Sequence, residues 1–187
     1  MALLSVPDEG TTHKDFEDVK EYLAGIDIEY DHWEPAGELS PTASEEEVLA
    51  AYADQVEELK ASGDYTTADV IDLTPDTPNL DDMLAKFNIE HWHDEDEVRF
   101  IVEGRGLFHV RPADGPVISI TVEPGDLMRV PRGTWHWFDL CGEKRIRAIR
   151  LFQNKSGWTP NYTGSGADQG YQPVCLGPTH IPLGREV

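Results

Sequence analysis

Two imidazoles and a carboxylate fall within one short run, His91-Trp92-His93-Asp94-Glu95-Asp96-Glu97-Val98-Arg99. Successive strand residues point to opposite faces, so an extended segment places His91, His93, Glu97 and Arg99 on one wall; a bend at 94–96 would break that parity. A further ligand must come from elsewhere, and His136 is the best candidate. It follows Pro131-Arg132-Gly133 and sits between Trp135 and Trp137, which keep it partly dry. Three neutral imidazoles and one carboxylate suit Fe(II), Ni(II) or Mn(II), and an octahedral ion so held keeps two positions open for chemistry. A closed structural zinc site more often recruits thiolates. The competing account of any single histidine is a hydrogen-bonded strand residue. His109 has no resolved orientation, and His13, His32 and His180 lie outside this pattern.

The elements that must position these groups are legible in the periodicity. Phe16, Val19 and Leu23 predict a helix over 14–24 closed by Gly25, and alternation of Ile26, Ile28 and Tyr30 with acids predicts a strand after it. Ser44 and Glu47 stand in capping-box register ahead of Val48, Leu49, Tyr52, Val56 and Leu59, which predicts one helix ending before Gly63. Thr77 and Pro78 open a short helix through Leu80, Met83, Leu84 and Phe87 that leads directly into His91. Six short strands follow, at 97–103, 106–111, 117–122, 127–130, 135–140 and 145–152, separated by turn sequences such as Glu123-Pro124-Gly125-Asp126. Such spacing predicts a sandwich or barrel. Residues 153–187 read as an irregular tail. The expected organisation is one domain over 1–187, with a helical N-terminal part at 1–88, a barrel at 89–152 and the tail.

At 187 residues the chain is long enough for one well-buried core. Its formal charge of -21 argues against a grip on nucleic acid or anionic lipid. Residues 1–90 carry 24 acids against 4 bases, so the excess reads as a solvated acidic face of that half. No stretch approaches the ~18 consecutive apolar residues of a membrane span, and the opening segment lacks the features of a secretory leader. A soluble, unexported and cytoplasmic monomer is expected. Cys141 and Cys175 form no framework by spacing, so reduced thiols are the default.

The full spacing resembles the two sequence motifs of the cupins. His91-x-His93-x3-Glu97-x6-Gly104 matches the first and Gly125-x5-Pro131-x-Gly133-x2-His136 the second. Ala85 stands where the first motif usually opens with glycine, and Leu140 where the second usually closes with asparagine; neither departure removes a ligand. Within the cupins the chain resembles the acireductone dioxygenases. The carrying phrases are Lys86-Phe87, Glu90-His91-x-His93-x-Glu95-Asp96-Glu97-Val98-Arg99-Phe100, Val102-Glu103-Gly104-x-Gly106-Leu107-Phe108, His136-Trp137-Phe138-Asp139, Ala148-Ile149-Arg150-Leu151-Phe152 and Gly157-Trp158. Weaker likeness around Trp33, Ala50-Ala51-Tyr52 and Asp69-Val70-Ile71 extends it over roughly 20–163.

The resemblance implies a mainly β fold, a cupin double-stranded β-helix or jelly-roll barrel with a few N-terminal helices. It implies one Fe(II) or Ni(II) per chain and an enzyme of methionine salvage that cleaves an acireductone with O2. The metal would be held by His91, His93, Glu97 and His136. Iron and nickel forms in this family give different products, and the ligand types do not choose between them. Arg150 projects from an otherwise apolar row and, with Arg99, would stabilise the substrate anion; the alternative is that each arginine pairs with a structural carboxylate. Phe87, Phe138 and Trp158 would line the pocket, with core packing of the phenylalanines and tail anchoring by Trp158 as the simpler accounts. Competing functions are a flavonol-cleaving cupin dioxygenase and a non-catalytic cupin that binds a metal or small molecule.

Overall fold

The computed structural model describes residues 1–34, 36–37, 39–154 and 158–175. His180 and Gly157 lie outside them. In chain order the elements are β1 (Leu3–Val6), β2 (Thr11–His13), α1 (Phe16–Ala24), β3 (Glu29–His32), α2 (Glu45–Ala51), α3 (Ala53–Gly63), β4 (Thr67–Leu73) and α4 (Leu80–Leu84). They continue with β5 (His91–Trp92), β6 (Glu97–Gly104), β7 (Gly106–Arg111), β8 (Ile118–Val122), β9 (Asp126–Val130), β10 (Trp135–Leu140), β11 (Ile146–Phe152) and β12 (Asn161–Tyr162). A 3-10 turn, Ala167–Gly170, follows.

The strands form two antiparallel sheets. One has the order β12-β5-β10-β7-β8-β1-β2 and the other β3-β9-β6-β11-β4. Phe108, Val110, Ile118, Ile120 and Phe138 from the first meet Ile101, Met128, Val130, Ile146 and Ala148 from the second in one core. The alternate residues Val98, Phe100, Leu127, Ile149 and Leu151 pack outward against Val48, Tyr52 and Val56 of the α2–α3 layer. Both faces of the smaller sheet are therefore covered, which is why apolar residues stand on both faces of β6 and β11.

Several expectations are corrected. Residues 1–88 are not only helical: β1 to β4 complete both sheets, and only β3 falls near a strand that periodicity predicts, β1, β2 and β4 being too short or half-exposed to show. The predicted 44–59 helix keeps its capping box at Ser44 and Glu47 but breaks at Tyr52. Tyr52 is buried with its ring edge on Phe100 and its hydroxyl accepting from the Ala36 amide, so tertiary packing overrides helix propensity there. Gly63 ends α3 rather than following it, and Asp64 takes the left-handed position. Thr77 accepts from the Thr74 amide in a turn, leaving Asn79 before α4. The strand expected from Ile26 begins only at Glu29, because Asp27 adopts a left-handed turn conformation. The tail contains β12, which pairs with β5.

Cys141 and Cys175 are joined in a disulfide that ties the tail to the end of β10, contrary to the expected reduced thiols. Their separation of 34 residues carries no signal of proximity; only the path of the tail back across the first sheet creates it.

The left-handed Gly104 turn between β6 and β7 is enforced by space. A Cβ there would lie 2.0 Å from the Arg145 carbonyl oxygen, so the residue closing the first motif has to be glycine.

Candidate metal centre

The three histidines come together from one sheet. His91 on β5 lies directly opposite His136 on β10, and His93 follows β5 at the bend. Their rings are 4.6 to 5.2 Å apart, and one nitrogen from each falls within 4.8 Å of the others. Glu97, however, begins β6 in the opposite sheet. The bend at Asp94-Glu95-Asp96 carries the chain across, so the expected single wall is instead a clasp with imidazoles on one side and the carboxylate on the other. That bend is pinned where Asp96 accepts from the Arg132 amide and the Tyr65 hydroxyl, while the Gly133 amide donates to the His93 carbonyl. The two motifs are thereby bonded to each other.

Each imidazole is oriented from behind. Nδ1 of His91 lies 2.7 Å from the Ile89 carbonyl, that of His136 2.8 Å from the Thr134 carbonyl, and that of His93 3.2 Å from the Thr159 carbonyl. A carbonyl only accepts, so each Nδ1 carries the hydrogen and each Nε2 presents a lone pair inward. Burial, with the neighbouring His136, pushes His91 down to about 4, leaving it neutral near pH 7. Burial alone would raise Glu97, but the Arg99 guanidinium beside it holds the carboxyl well below the usual carboxylate range. Nε2 of His93 and of His136 each lie 3.1 Å from Glu97 Oε2. With the hydrogen of each ring on Nδ1, these contacts set imidazole lone pairs against a carboxylate oxygen with no hydrogen between them, and among the described residues His93 Nε2 is a buried nitrogen without a hydrogen-bond partner. Inward-facing imidazole lone pairs, a buried carboxylate and an orphaned nitrogen are a donor set that fits a divalent transition-metal ion.

Arg99, 5% exposed, lies one turn of the pleat beyond Glu97, its Nε 2.6 Å from Glu97 Oε1. Its guanidinium is enclosed by Phe138 at 4.6 Å, Trp158 at 5.3 Å and Phe108 at 5.4 Å. Burial lowers its pKa and Glu97 opposes that shift. Arg150 stands directly across the β6–β11 ladder from Arg99 and makes a two-point contact with Asp69. Both arginines thus have carboxylate partners, as the structural alternative required, while both also face Trp158. Trp158 is buried, stacks 6.0 Å from His93 and packs on Phe152. Phe87 is half-buried against the core with its ring edge-on to that of His91, the two centroids 5.7 Å apart, and its carbonyl accepts from the Phe138 amide. His109 stacks on Trp137 outside this cluster, and His32 pairs with the buried Asp126.

Periodicity and motif spacing did not single out Glu90 as a functional position. It is fully buried, accepts a two-point contact from Arg111 and further hydrogen bonds from Thr163 and Ser165, and so binds the tail to the strand carrying His91. A charged residue immediately before His91, within the phrase that carries the family resemblance, was the available signal. A cavity of about 510 Å³ between α1, β3 and α3 is elsewhere and contains none of these residues.

A three-histidine, one-carboxylate cluster clasped between two antiparallel sheets defines a metal-binding cupin. Comparison with known proteins narrows the class. Residues 7–160 match the ARD/ARD' family, and the chain belongs to it. Acireductone dioxygenase of Pseudomonas fluorescens (strain Pf0-1) is 45% identical over 159 residues, covering 85% of this chain and 86% of that protein. The Methylococcus capsulatus (strain Bath) enzyme is 42% identical, covering 88% and 91%. The acireductone dioxygenase structure from Bacillus anthracis, with a cadmium ion in its active centre, superposes with a TM-score of 0.82 at 34% identity over 87% of this chain and 98% of that one. Neither a flavonol-cleaving nor a non-catalytic cupin finds support in these relatives.

Proposed function

We propose that this chain is an acireductone dioxygenase that uses one Fe(II) or Ni(II) to cleave 1,2-dihydroxy-3-keto-5-methylthiopentene with O2 in methionine salvage. The observation that carries the reading is the inward set of Nε2 lone pairs, each fixed by a backbone carbonyl behind it, opposed by Glu97. His91, His93, Glu97 and His136 would hold the ion. When bound, it supplies Lewis acidity and a redox partner for the electron-rich ene-diol and O2. Arg99 and Arg150 cannot ligate a cation, having only donors; their task is to hold the deprotonated oxygens of the substrate. Phe87 and Phe138 receive its apolar body, and Trp158 closes the space over both guanidinium groups and excludes water. The chain is read as a cytoplasmic monomer; no described helix is long and apolar enough to cross a membrane.

Apoprotein reconstituted separately with Fe(II) and Ni(II) tests this reading. Both forms should consume acireductone and O2. The iron form should give 2-keto-4-methylthiobutyrate and formate, and the nickel form methylthiopropionate, formate and carbon monoxide. Alanine at His91, His93, Glu97 or His136 should lower metal content. No turnover with either ion would refute the activity, and full metal retention in all four variants would refute the ligand set.

A further inference from the structure

Arg150 occupies the centre of a row that runs across the smaller sheet. Asp69 on β4 is its direct ladder partner on one side, and Arg99 on β6 its direct partner on the other. Two guanidinium groups placed opposite each other repel, and that juxtaposition is unfavourable unless neighbouring anions compensate it. Each arginine has one: Glu97 beside Arg99, and Asp69 beside Arg150. The Asp69 contact is the more directional. Its two carboxylate oxygens accept from Nε and Nη2 of Arg150 at 2.8 Å each, a side-on fork that fixes the guanidinium plane as well as its position. The Nη1 edge makes no hydrogen bond among the described residues, and the same guanidinium faces Trp158 at 5.4 Å and Phe152 at 5.2 Å.

We infer that Asp69 is a positioning residue for the substrate anion, holding the Arg150 guanidinium so that its remaining N–H edge, with Arg99, meets the deprotonated ene-diol oxygens. The inference rests on the proposed role of Arg150. Asp69 itself touches no reacting atom and is separated from the metal-binding residues by Arg150 and Arg99. A competing effect has the opposite sign. An additional negative charge beside an anion site weakens anion binding, so if Asp69 acted only through its charge, removing it would tighten the substrate. Geometry and charge are therefore separable by substitution.

The experiment measures anaerobic binding of 1,2-dihydroxy-3-keto-5-methylthiopentene to Ni(II)-loaded protein, with metal content and thermal stability recorded for each variant. Asp69→Glu keeps the charge but displaces the fork by a methylene, and Asp69→Asn keeps the shape while removing the charge. Positioning predicts about tenfold weaker binding for both, the loss expected when a charge-assisted hydrogen bond is misaligned, with metal content unchanged. Neither substitution should have a further effect in an Arg150→Ala background. Tighter binding by Asp69→Asn, unaltered binding by Asp69→Glu, or an equal loss in the Arg150→Ala background would overturn the inference. Unaltered binding by Arg150→Ala alone would instead overturn the role of Arg150 on which it rests.

Discussion

Glu90→Gln tests whether the tail is clamped to the strand that carries the first histidine. The wild-type carboxylate is fully buried and accepts from Arg111 Nε and Nη2, Thr163 Oγ1 and Ser165 Oγ, while the Thr163 amide donates to the Glu90 carbonyl. Glutamine keeps the shape but turns one acceptor into a donor facing groups that are themselves donors. Removing one partner of a buried ion pair costs about 3–5 kcal/mol. Arg111 is 27% exposed and regains part of its hydration, so a loss of about 2–3 kcal/mol is expected. For a chain of this size that lowers the Tm by about 4–12 °C. Acid should erase the difference. Burial pushes the Glu90 carboxyl up, but hydrogen bonds from Arg111, Ser165 and Thr163 outweigh it and bring the carboxyl to about 2. The unfolded value is about 4.3. With the folded value depressed, the stabilisation is complete above the unfolded pKa and is lost as pH falls toward 2. Thermal unfolding of both proteins followed by circular dichroism across this window is the assay. A Tm difference below ~2 °C near neutral pH, or one that persists undiminished down to about pH 3, would refute the reasoning.

Gly106→Ala should disturb the site without touching a proposed ligand: a Cβ there would lie 2.4 Å from the Phe138 ring, which faces Arg99 at 4.6 Å. Retained metal with raised KM for acireductone is expected; unchanged KM and Tm together would show that the ring yields freely. Cys175→Ser should release the tail from β10, and the chain-entropy cost of closing a 34-residue separation puts the loss of stability at about 3–4 kcal/mol. Dithiothreitol should lower the Tm of the wild-type protein to that of the variant, and equal Tm values for oxidised and variant protein would contradict a stabilising cross-link.

What could be read from residue order was whatever is local or carried by spacing. The capping box at Ser44 and Glu47 and the limits of β7 and β10 depend on neighbours a few positions away, and they fall where periodicity placed them. The candidate ligand types were legible because the strand pleat and the turn between motifs leave characteristic intervals. Parity could not show that Glu97 belongs to the opposite sheet from His91, since three residues at 94–96 are enough to change sheets. Nor could it find β4, whose acids at Asp69 and Asp72 stand three apart, out of strand period, so that it looks like a surface segment until β11 lies beside it.

Composition and spacing by themselves determined a β-rich chain bearing a set of candidate N/O ligands, because ligand chemistry and strand period are properties of residue type and interval. Tertiary structure alone decided the partners of the charged groups. Asp69 and Arg150 are 81 residues apart, Glu90 and Ser165 are 75 apart, and Cys141 meets Cys175 only because the tail returns. The two charged pairings are favoured by burial. Once two sheets close over charged side chains, an unmatched charge is too costly to leave, and the fold retains only those arrangements in which it finds its complement.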